Sequence, residues 1–349
     1  MKIIHVVWAF QNGGIETMLI NIANEQIRRG DKVSVFIIND LVDHNLVKSF
    51  NSEIKVFKIR RKEGSRSIFP IIKANFLVLC NYPKIIHFHF LNLAKYFIKY
   101  PKIKFISTVH TTNFSDRYFK KYDEIIAISK AVKEDLLKLK PDMKIEVCYN
   151  GINFNRLVKK ENFYSIKKII CVGRLADVHK GQSIIINAIN ILNQKTDLNF
   201  IVSFVGDGPD KLKFQELTKK LKLENNIKFL GNKSNEWVLN NLCEYDLFVQ
   251  ASRFEGFGLT VVEAMAAKVP VLLTNVEGHL EISDNGKYAT LFKSEDPKDL
   301  AIKLIKLSNE LEKLEKRVET SYNYVLDKFT TEAQVQTLTK IYNLYPTKK

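Results

Sequence analysis

The sequence predicts an α/β protein built as two parallel-sheet domains, and three observations carry that prediction. Short β-branched runs alternate with stretches whose apolar residues recur at helical spacing, the pattern of parallel strands joined by crossover helices. The alternation breaks once, near residues 150–165, and then restarts. The chain has 349 residues, 46% apolar and 26% charged, which is more than one hydrophobic core usually serves and enough for two. That composition excludes a disordered chain or a small peptide scaffold.

In the first half, 3–7, 33–38, 54–59, 85–90, 103–109, 124–128 and 145–148 read as strands, with helical spacing over 14–29 and 130–139. The apolar run after Met1 is too short for a signal peptide and lacks a small-residue cleavage site, so it is read as the first strand. No stretch reaches about 18 consecutive apolar residues, and no membrane span is expected. Tyr149-Asn150-Gly151-Ile152 and the polar Lys159-Lys160-Glu161-Asn162 mark the break. Beyond it 168–172, 200–205, 227–230, 247–250 and 270–273 read as strands, and the chain from Asp296 onward is helical by pattern. Thr330-Thr331-Glu332 offers a cap for a last helix through Tyr345 that returns to the first domain. The expected domains are therefore 1–155, with 330–349 packing back on it, and 165–329. In open sheets of this kind ligands bind beyond the carboxyl ends of strands, so the expected site is the cleft between the two domains.

Lys and Arg number 54 against 38 Asp and Glu, a formal charge of +16. An excess of 11 falls in residues 1–150 and of 5 in the rest, by count from the sequence. Such a balance suits nucleic acid, an anionic membrane or phosphorylated small molecules, or reflects solvated lysines alone. No nucleic-acid module is recognisable, and no nucleic-acid partner is expected. Cys80, Cys148, Cys171 and Cys243 are widely spaced and are read as buried reduced thiols of a cytoplasmic protein.

The most informative stretch is Ser252-Arg253-Phe254-Glu255-Gly256-Phe257-Gly258-Leu259-Thr260-Val261-Val262-Glu263, which follows a predicted strand, turns through two glycines and opens a helix near Gly258. Glycines let backbone approach a ligand, and free N–H groups at a helix start attract phosphate. Glu255 in the loop and Glu263 along the helix would flank that phosphate. A carboxylate accepts paired hydrogen bonds from vicinal hydroxyls, so one acid can hold a ribose and the other a sugar. Singly they have ordinary readings, Glu263 as an exposed helix acid and Glu255 as a charge favoured by the helix dipole. Together, around Gly-Phe-Gly, they favour a ligand.

A second element, Val172-Gly173-Arg174-Leu175-Ala176-Asp177-Val178-His179-Lys180-Gly181, closes the first strand of the second half. Arg174 by its fork and Lys180 as a point charge could neutralise a diphosphate across that loop. The third, Gln11-Asn12-Gly13-Gly14-Ile15-Glu16, leaves backbone N–H groups at the end of the first strand, although a plain tight turn reads equally well. Neither it nor Val205-Gly206-Asp207-Gly208-Pro209 is G-x-G-x-x-G, which disfavours a nicotinamide-dependent dehydrogenase. His87 and His89 alternate on a strand as core-facing or strand-end residues, and His110 ends a strand at the edge of the expected cleft. No H-x-x-x-H or Cys/His cluster is present, so no metal is expected.

With these residues in view, the chain resembles the retaining, nucleotide-sugar-dependent glycosyltransferases of the GT-B fold, glycosyltransferase family 4. The resemblance rests on Gly13-Gly14-x-Glu16, His110, Asn150-Gly151-Ile152, Val172 to Leu175 with Lys180-Gly181, Gly206-Asp207-Gly208-Pro209, Phe229-Leu230-Gly231, the Glu255/Glu263 pair, and Pro270-Val271 followed by Gly278 and Glu281. The acid pair with its insert and the Arg/Lys loop are the specific parts. The chain departs at Glu277-Gly278, where the family often shows two glycines.

That resemblance implies two Rossmann-like domains facing across a cleft, and metal-independent, retaining transfer of a hexosyl unit. The donor would be a UDP- or GDP-sugar, a substrate rather than a cofactor, and the acceptor a glycan or lipid-linked saccharide of cell-surface polysaccharide biosynthesis. Arg174 and Lys180 would bind the diphosphate with the N–H groups of Leu259 and Thr260. Glu263 would hold the ribose, and Glu255 with the backbone of Gly256, Phe257 and Gly258 the sugar. His110 would face the sugar, Gly13 and Gly14 would line the acceptor and phosphate side, and Gly208 and Gly231 would lie near the nucleotide. Glu255, His110, Arg174 and Lys180 form the implied catalytic set.

The basic run from Lys55 to Arg66 and the apolar 68–77 after it could meet an anionic membrane surface, making residues 55–77 a peripheral contact on the cytoplasmic face. A solvated loop before a core helix is the other reading. Alternatives in function are a non-catalytic nucleotide-sugar-binding or membrane-associated partner protein of the same fold, which should have lost the motif acids, and an epimerase or phosphorylase of the same architecture.

Overall fold

The computed structural model describes residues 1–11, 13–111 and 116–344. Seven strands among them, β1 (Lys2–Val7), β2 (Lys32–Asn39), β3 (Lys55–Arg61), β4 (Ile85–Phe88), β5 (Lys104–Val109), β6 (Glu124–Ala127) and β7 (Ile145–Val147), form one sheet in the order β3-β2-β1-β4-β5-β6-β7. Six more, β8 (Lys168–Val172), β9 (Ile201–Val205), β10 (Ile227–Gly231), β11 (Leu247–Gln250), β12 (Val271–Thr274) and β13 (Thr290–Phe292), form a second sheet in the order β10-β9-β8-β11-β12-β13. The strand pairs are parallel in both sheets. Each sheet reverses direction once, between β1 and β4 and between β8 and β11. These are Rossmann-like, doubly wound sheets, and the reversal opens a crevice at the carboxyl ends of the two central strands.

Met1–Gly151 with the chain from Thr331 onward makes one compact unit, and Ile152–Thr330 makes the other. The helix Thr331–Asn343 belongs to the first unit, where the Tyr342 hydroxyl lies 2.6 Å from His87 Nδ1 and Gln334 accepts from the Gly151 N–H at 2.9 Å. The expected continuation through Tyr345 lies outside the described residues. Helices cover both faces of each sheet, so central strands are buried throughout and read as continuous apolar runs, with Phe36, Phe88 and Phe105 in one core and Ile169, Phe204 and Val249 in the other. Among the described residues, no helix is long and apolar enough to cross a membrane.

Three expectations change. Strand β13 was absent from the sequence reading because three residues at a sheet edge carry too little pattern to detect. The strand expected over 54–59 is β3, Lys55–Arg61, so the part of the basic run outside a strand is confined to the connection 62–68. The helix Phe69–Asn81 is not an ordinary core helix: it buries Ala74, Asn75 and Val78 and leaves Phe69 77% and Phe76 62% exposed. Finally, Cys148 and Cys171 are buried, whereas Cys80 is exposed on that same helix and Cys243 is half-buried.

Candidate functional site

In the second unit the strand order sets the carboxyl ends of β8 and β11 side by side, and both lead into residues singled out by sequence. After β8 the chain passes Gly173 and Arg174 into the four-residue helix Asp177–Lys180, so Lys180 stands on a helical turn rather than in an open loop. After β11 it passes Ser252, Glu255 and Gly256 to the helix Leu259–Ala266. Lys180 Nζ donates to Glu255 Oε2 at 2.7 Å, and the Ser252 hydroxyl donates to the same oxygen at 3.1 Å. Gln250 Nε2 holds the Ser252 hydroxyl, also at 3.1 Å. The pair is largely dry, with Lys180 24% and Glu255 12% exposed. Burial pushes the Glu255 carboxyl up, but the Lys180 charge and the hydrogen bonds from Lys180 and Ser252 outweigh it and hold the group below the ordinary glutamate value.

Two glycines shape this loop. Gly258 caps the helix at φ +93°, a conformation that side chains disfavour, and so turns the chain from Glu255 into a helix start. The first N–H groups of that helix, at Leu259 and Thr260, have no partner within the helix. Gly278 lies under the same loop: a Cβ there would come 2.2 Å from the Glu255 carbonyl oxygen. The retained glycine of Glu277-Gly278 thus packs against Glu255, and Glu277 is exposed.

The remaining predicted residues divide. Arg174 is exposed and makes no side-chain hydrogen bond or ion pair among the described residues, so the structure does not join it to Lys180. Glu263 is not the exposed helix acid of the ordinary reading; it is buried, accepts from Asn235 Nδ2 at 3.0 Å, and burial raises its carboxyl to about 7, with Asn235 opposing. Gly231 and Gly208 close the neighbouring strand ends: Gly206 N–H donates to the Gly231 carbonyl at 2.9 Å, and a Cβ on Gly208 would lie 2.3 Å from the Leu175 carbonyl oxygen. The Phe257 ring is 2% exposed and packs edge-on to Phe329 at 5.5 Å, so it is the backbone of this residue that can face a ligand.

In the first unit, Gly13 is extended and caps the helix Gly14–Arg28, while Asn12 lies outside the described residues. His110 follows β5 and lines a cavity of about 320 Å³ with Ile15, His89, Asn92, Thr108 and Tyr118. Behind it stands a group of histidines that the sequence reading did not assemble. His110 Nε2 is 3.4 Å from His89 Nδ1, His89 Nε2 is 3.1 Å from His5 Nδ1, and His5 Nε2 is 2.8 Å from Gln26 Oε1. His87 bridges the Tyr342 hydroxyl and, at 2.7 Å, the Thr108 hydroxyl. With the Gln26 oxygen accepting, each ring donates from Nε2 and accepts at Nδ1, and the Nδ1 of His110 is left as the open acceptor. Burial pushes His5 and His110 down to about 4 and His87 and His89 well below their usual value, so all four stay neutral at physiological pH.

His5, His87 and His89 bring nitrogens within 4.8 Å of one another, close enough to suggest a metal site. Their rings argue otherwise. His87 and His89 stack at 4.7 Å with 18° between planes, and His5 and His89 at 5.3 Å with 29°. Nitrogen lone pairs lie in the ring planes, so near-parallel rings do not converge on one ion.

Of the functional residues that sequence reasoning missed, Ser252 and Gln250 were readable in principle as polar residues alternating into the Glu255 loop. His279, Asn235 and His5 carried no local signal.

Residues 12–156 match the family model for Glycosyltransferase Family 4, and residues 153–324 match that for Glycosyl transferases group 1. An uncharacterized glycosyltransferase of Methanocaldococcus jannaschii is 33% identical over 231 residues, 65% of this chain, and the chain spans 62% of that relative's length. The N-acetyl-alpha-D-glucosaminyl L-malate synthase of Bacillus anthracis is 28% identical over 264 residues, covering 69% of this chain and 68% of the synthase. Among solved structures, Anabaena HepE in complex with UDP and glucose superposes with a TM-score of 0.81 at 19% identity, over 99% of this chain and 100% of HepE, which shows a shared GT-B fold.

Proposed function

The chain belongs to the group 1 glycosyltransferases, and from that membership we propose a retaining, metal-independent hexosyltransferase that uses a UDP- or GDP-sugar and a glycan or lipid-linked acceptor in cell-surface polysaccharide biosynthesis. The observation that carries the reading is the Lys180–Glu255 pair at the β8/β11 reversal, beside a helix start with open N–H groups. HepE, of the same fold, binds UDP and glucose in its solved complex, which supports a uridine nucleotide as the first donor to try.

The chemistry follows from charge. When the bond from the sugar's anomeric carbon to the diphosphate breaks, negative charge grows on the leaving oxygen. Arg174, Lys180 and the N–H groups of Leu259 and Thr260 are the groups to stabilise it. The acceptor hydroxyl attacks from the same face and passes its proton to the leaving phosphate oxygen, so configuration is retained. Glu255, held ionised, orients the sugar hydroxyls with the backbone of 256–258. Glu263 is ready for the ribose: two hydroxyl donors would favour the carboxylate that burial now disfavours. His110 serves the sugar as a neutral hydrogen-bonding group, and Gly13 and Gly14 line the acceptor and phosphate side at the start of the helix Gly14–Arg28.

The acceptor side also has a membrane candidate. Ile68, at the N-cap, and Phe69, Ile72 and Phe76 of the helix Phe69–Asn81 are exposed, and the exposed Arg60, Lys62 and Arg66 precede them in the chain, a combination that suits an anionic lipid surface on the cytoplasmic face. Sedimentation with anionic vesicles tests it, and a Phe69→Ser/Phe76→Ser protein that pellets as well as wild type removes the idea. For the reaction itself, a panel of nucleotide sugars is assayed against wild type, Glu255→Ala and Lys180→Ala. Product is expected from wild type alone, and equal turnover in all three would remove the site.

A further inference from the structure

His279 sits on the helix Glu277–Ile282 that follows β12, with no exposed surface. Its Nδ1 lies 3.1 Å from the Thr274 carbonyl oxygen and 3.0 Å from the Thr274 hydroxyl, and that hydroxyl donates onward to the Ser252 carbonyl at 2.7 Å. Nδ1 therefore carries the ring proton, and Nε2 is a bare lone pair. That Nε2 is fully buried and has no hydrogen-bond partner, although Glu255 Oε2 is only 3.9 Å away. A buried acceptor facing a carboxylate is an unfavourable arrangement that calls for an explanation.

The Lys180 ammonium supplies one. It already neutralises the same oxygen at 2.7 Å, so a proton on His279 would put two buried cations on one carboxylate. The charged groups facing His279 are Glu255, from the loop after β11, and Lys180, from the helix Asp177–Lys180; Ser252 and Thr274 are neutral. Burial chiefly, with Lys180 adding and Glu255 opposing, brings His279 down to about 4.

On the reading that Lys180 binds the donor diphosphate, we propose that His279 is a positioning residue that takes a proton from solvent when the ammonium turns from Glu255 to the diphosphate, and holds Glu255 ionised and in place through an Nε2–H to Oε2 hydrogen bond. The bond formed is between a water-derived proton and Nε2, and the ring's existing proton stays on Nδ1, hydrogen-bonded to Thr274. Nucleotide binding and protonation of His279 are then linked, so affinity falls as pH rises, by up to about tenfold per pH unit where the proton is taken up.

Calorimetry with UDP and GDP, in two buffers of different ionisation enthalpy between pH 6 and 8, counts the protons. Wild type is expected to take up more than His279→Gln, by up to one proton per nucleotide bound. The same release of His279 should occur without nucleotide in Lys180→Met, where the ring nitrogen signals of His279 in an NMR titration should move at a pH well above that of wild type. Nucleotide binding with equal proton uptake in wild type and His279→Gln overturns the proposal and leaves Lys180 as a phosphate ligand. Failure of wild type to bind either nucleotide overturns the site reading and the proposal together. A Lys180→Met protein whose His279 titrates as in wild type overturns the proposal independently of any ligand.

Discussion

Replacing Lys180 by methionine keeps an unbranched apolar stem and removes the only ammonium that contacts Glu255 among the described residues. The carboxylate, 12% exposed, then keeps the Ser252 hydroxyl and, only where His279 has taken up a proton, its Nε2–H. Breaking a fully buried ion pair by removing one partner costs about 3–5 kcal/mol, and an exposed pair is worth about 0–1 kcal/mol. With Lys180 itself 24% exposed, the pair lies between these limits, and a coupling of about 1–3 kcal/mol is expected. The two single changes should be unequal. Lys180→Met strands a carboxylate, whereas Glu255→Gln frees an ammonium on a long stem that can reach water, so the first costs more.

The chain has two tryptophans, Trp8 in the first unit and Trp237 in the second. In a Trp8→Phe background, Trp237 fluorescence follows urea unfolding of the second unit by itself, in the parent, Lys180→Met, Glu255→Gln and the double mutant. The coupling should be present at pH 7.5. Glu255 has a folded value below its unfolded one, so its contribution exists above the unfolded value near about 4.3 and fades as pH falls through the lower folded value. Single-mutant costs that add to within about 0.5 kcal/mol at pH 7.5 would refute the claim that the pair is energetically linked.

Three further outcomes follow from the geometry. Gly278→Ala forces a Cβ against the Glu255 carbonyl oxygen, 2.2 Å away, and should cost about 1–3 kcal/mol in the Trp237 transition and weaken nucleotide binding; an unchanged midpoint and Kd would mean that the contact is loose. Glu263→Gln should stabilise the second unit at pH 8 by up to about 3 kcal/mol and leave it unchanged at pH 4, because the carboxyl keeps its proton to about 7 when folded and loses it near 4.5 when unfolded; a variant no more stable at pH 8 would count against the burial argument. His5 and His110, at about 4 when folded and about 6.5 when unfolded, make the first unit lose stability as pH falls from about 6.5 toward 4, by up to about 3 kcal/mol each. The Trp8 signal should therefore unfold at a higher pH than the Trp237 signal, and coincident acid transitions would contradict this.

Residues buried on both faces of a parallel strand form unbroken apolar runs, which is why the two strand series, the break near 150 and the carboxyl-end positions of Arg174, Glu255 and His110 could be read from sequence. What could not be read is anything that depends on which strands are neighbours. His87 and His89, two residues apart, must share a face of β4. Nothing local says that β1 lies beside β4 with His5 opposite His87, and without that register the histidine group does not exist on paper. Lys180 and Glu255 are 75 residues apart, and they meet because β8 and β11 are adjacent across the reversal. His279 enters through the next pairing, β11 with β12, which sets Thr274 beside Ser252. The polar chemistry of both units is thus written in strand order, and strand order is fixed by crossovers that join segments distant in sequence. Motif spacing located the loops; only the register brings Lys180 and His279 to the same carboxylate oxygen, at 2.7 Å and 3.9 Å.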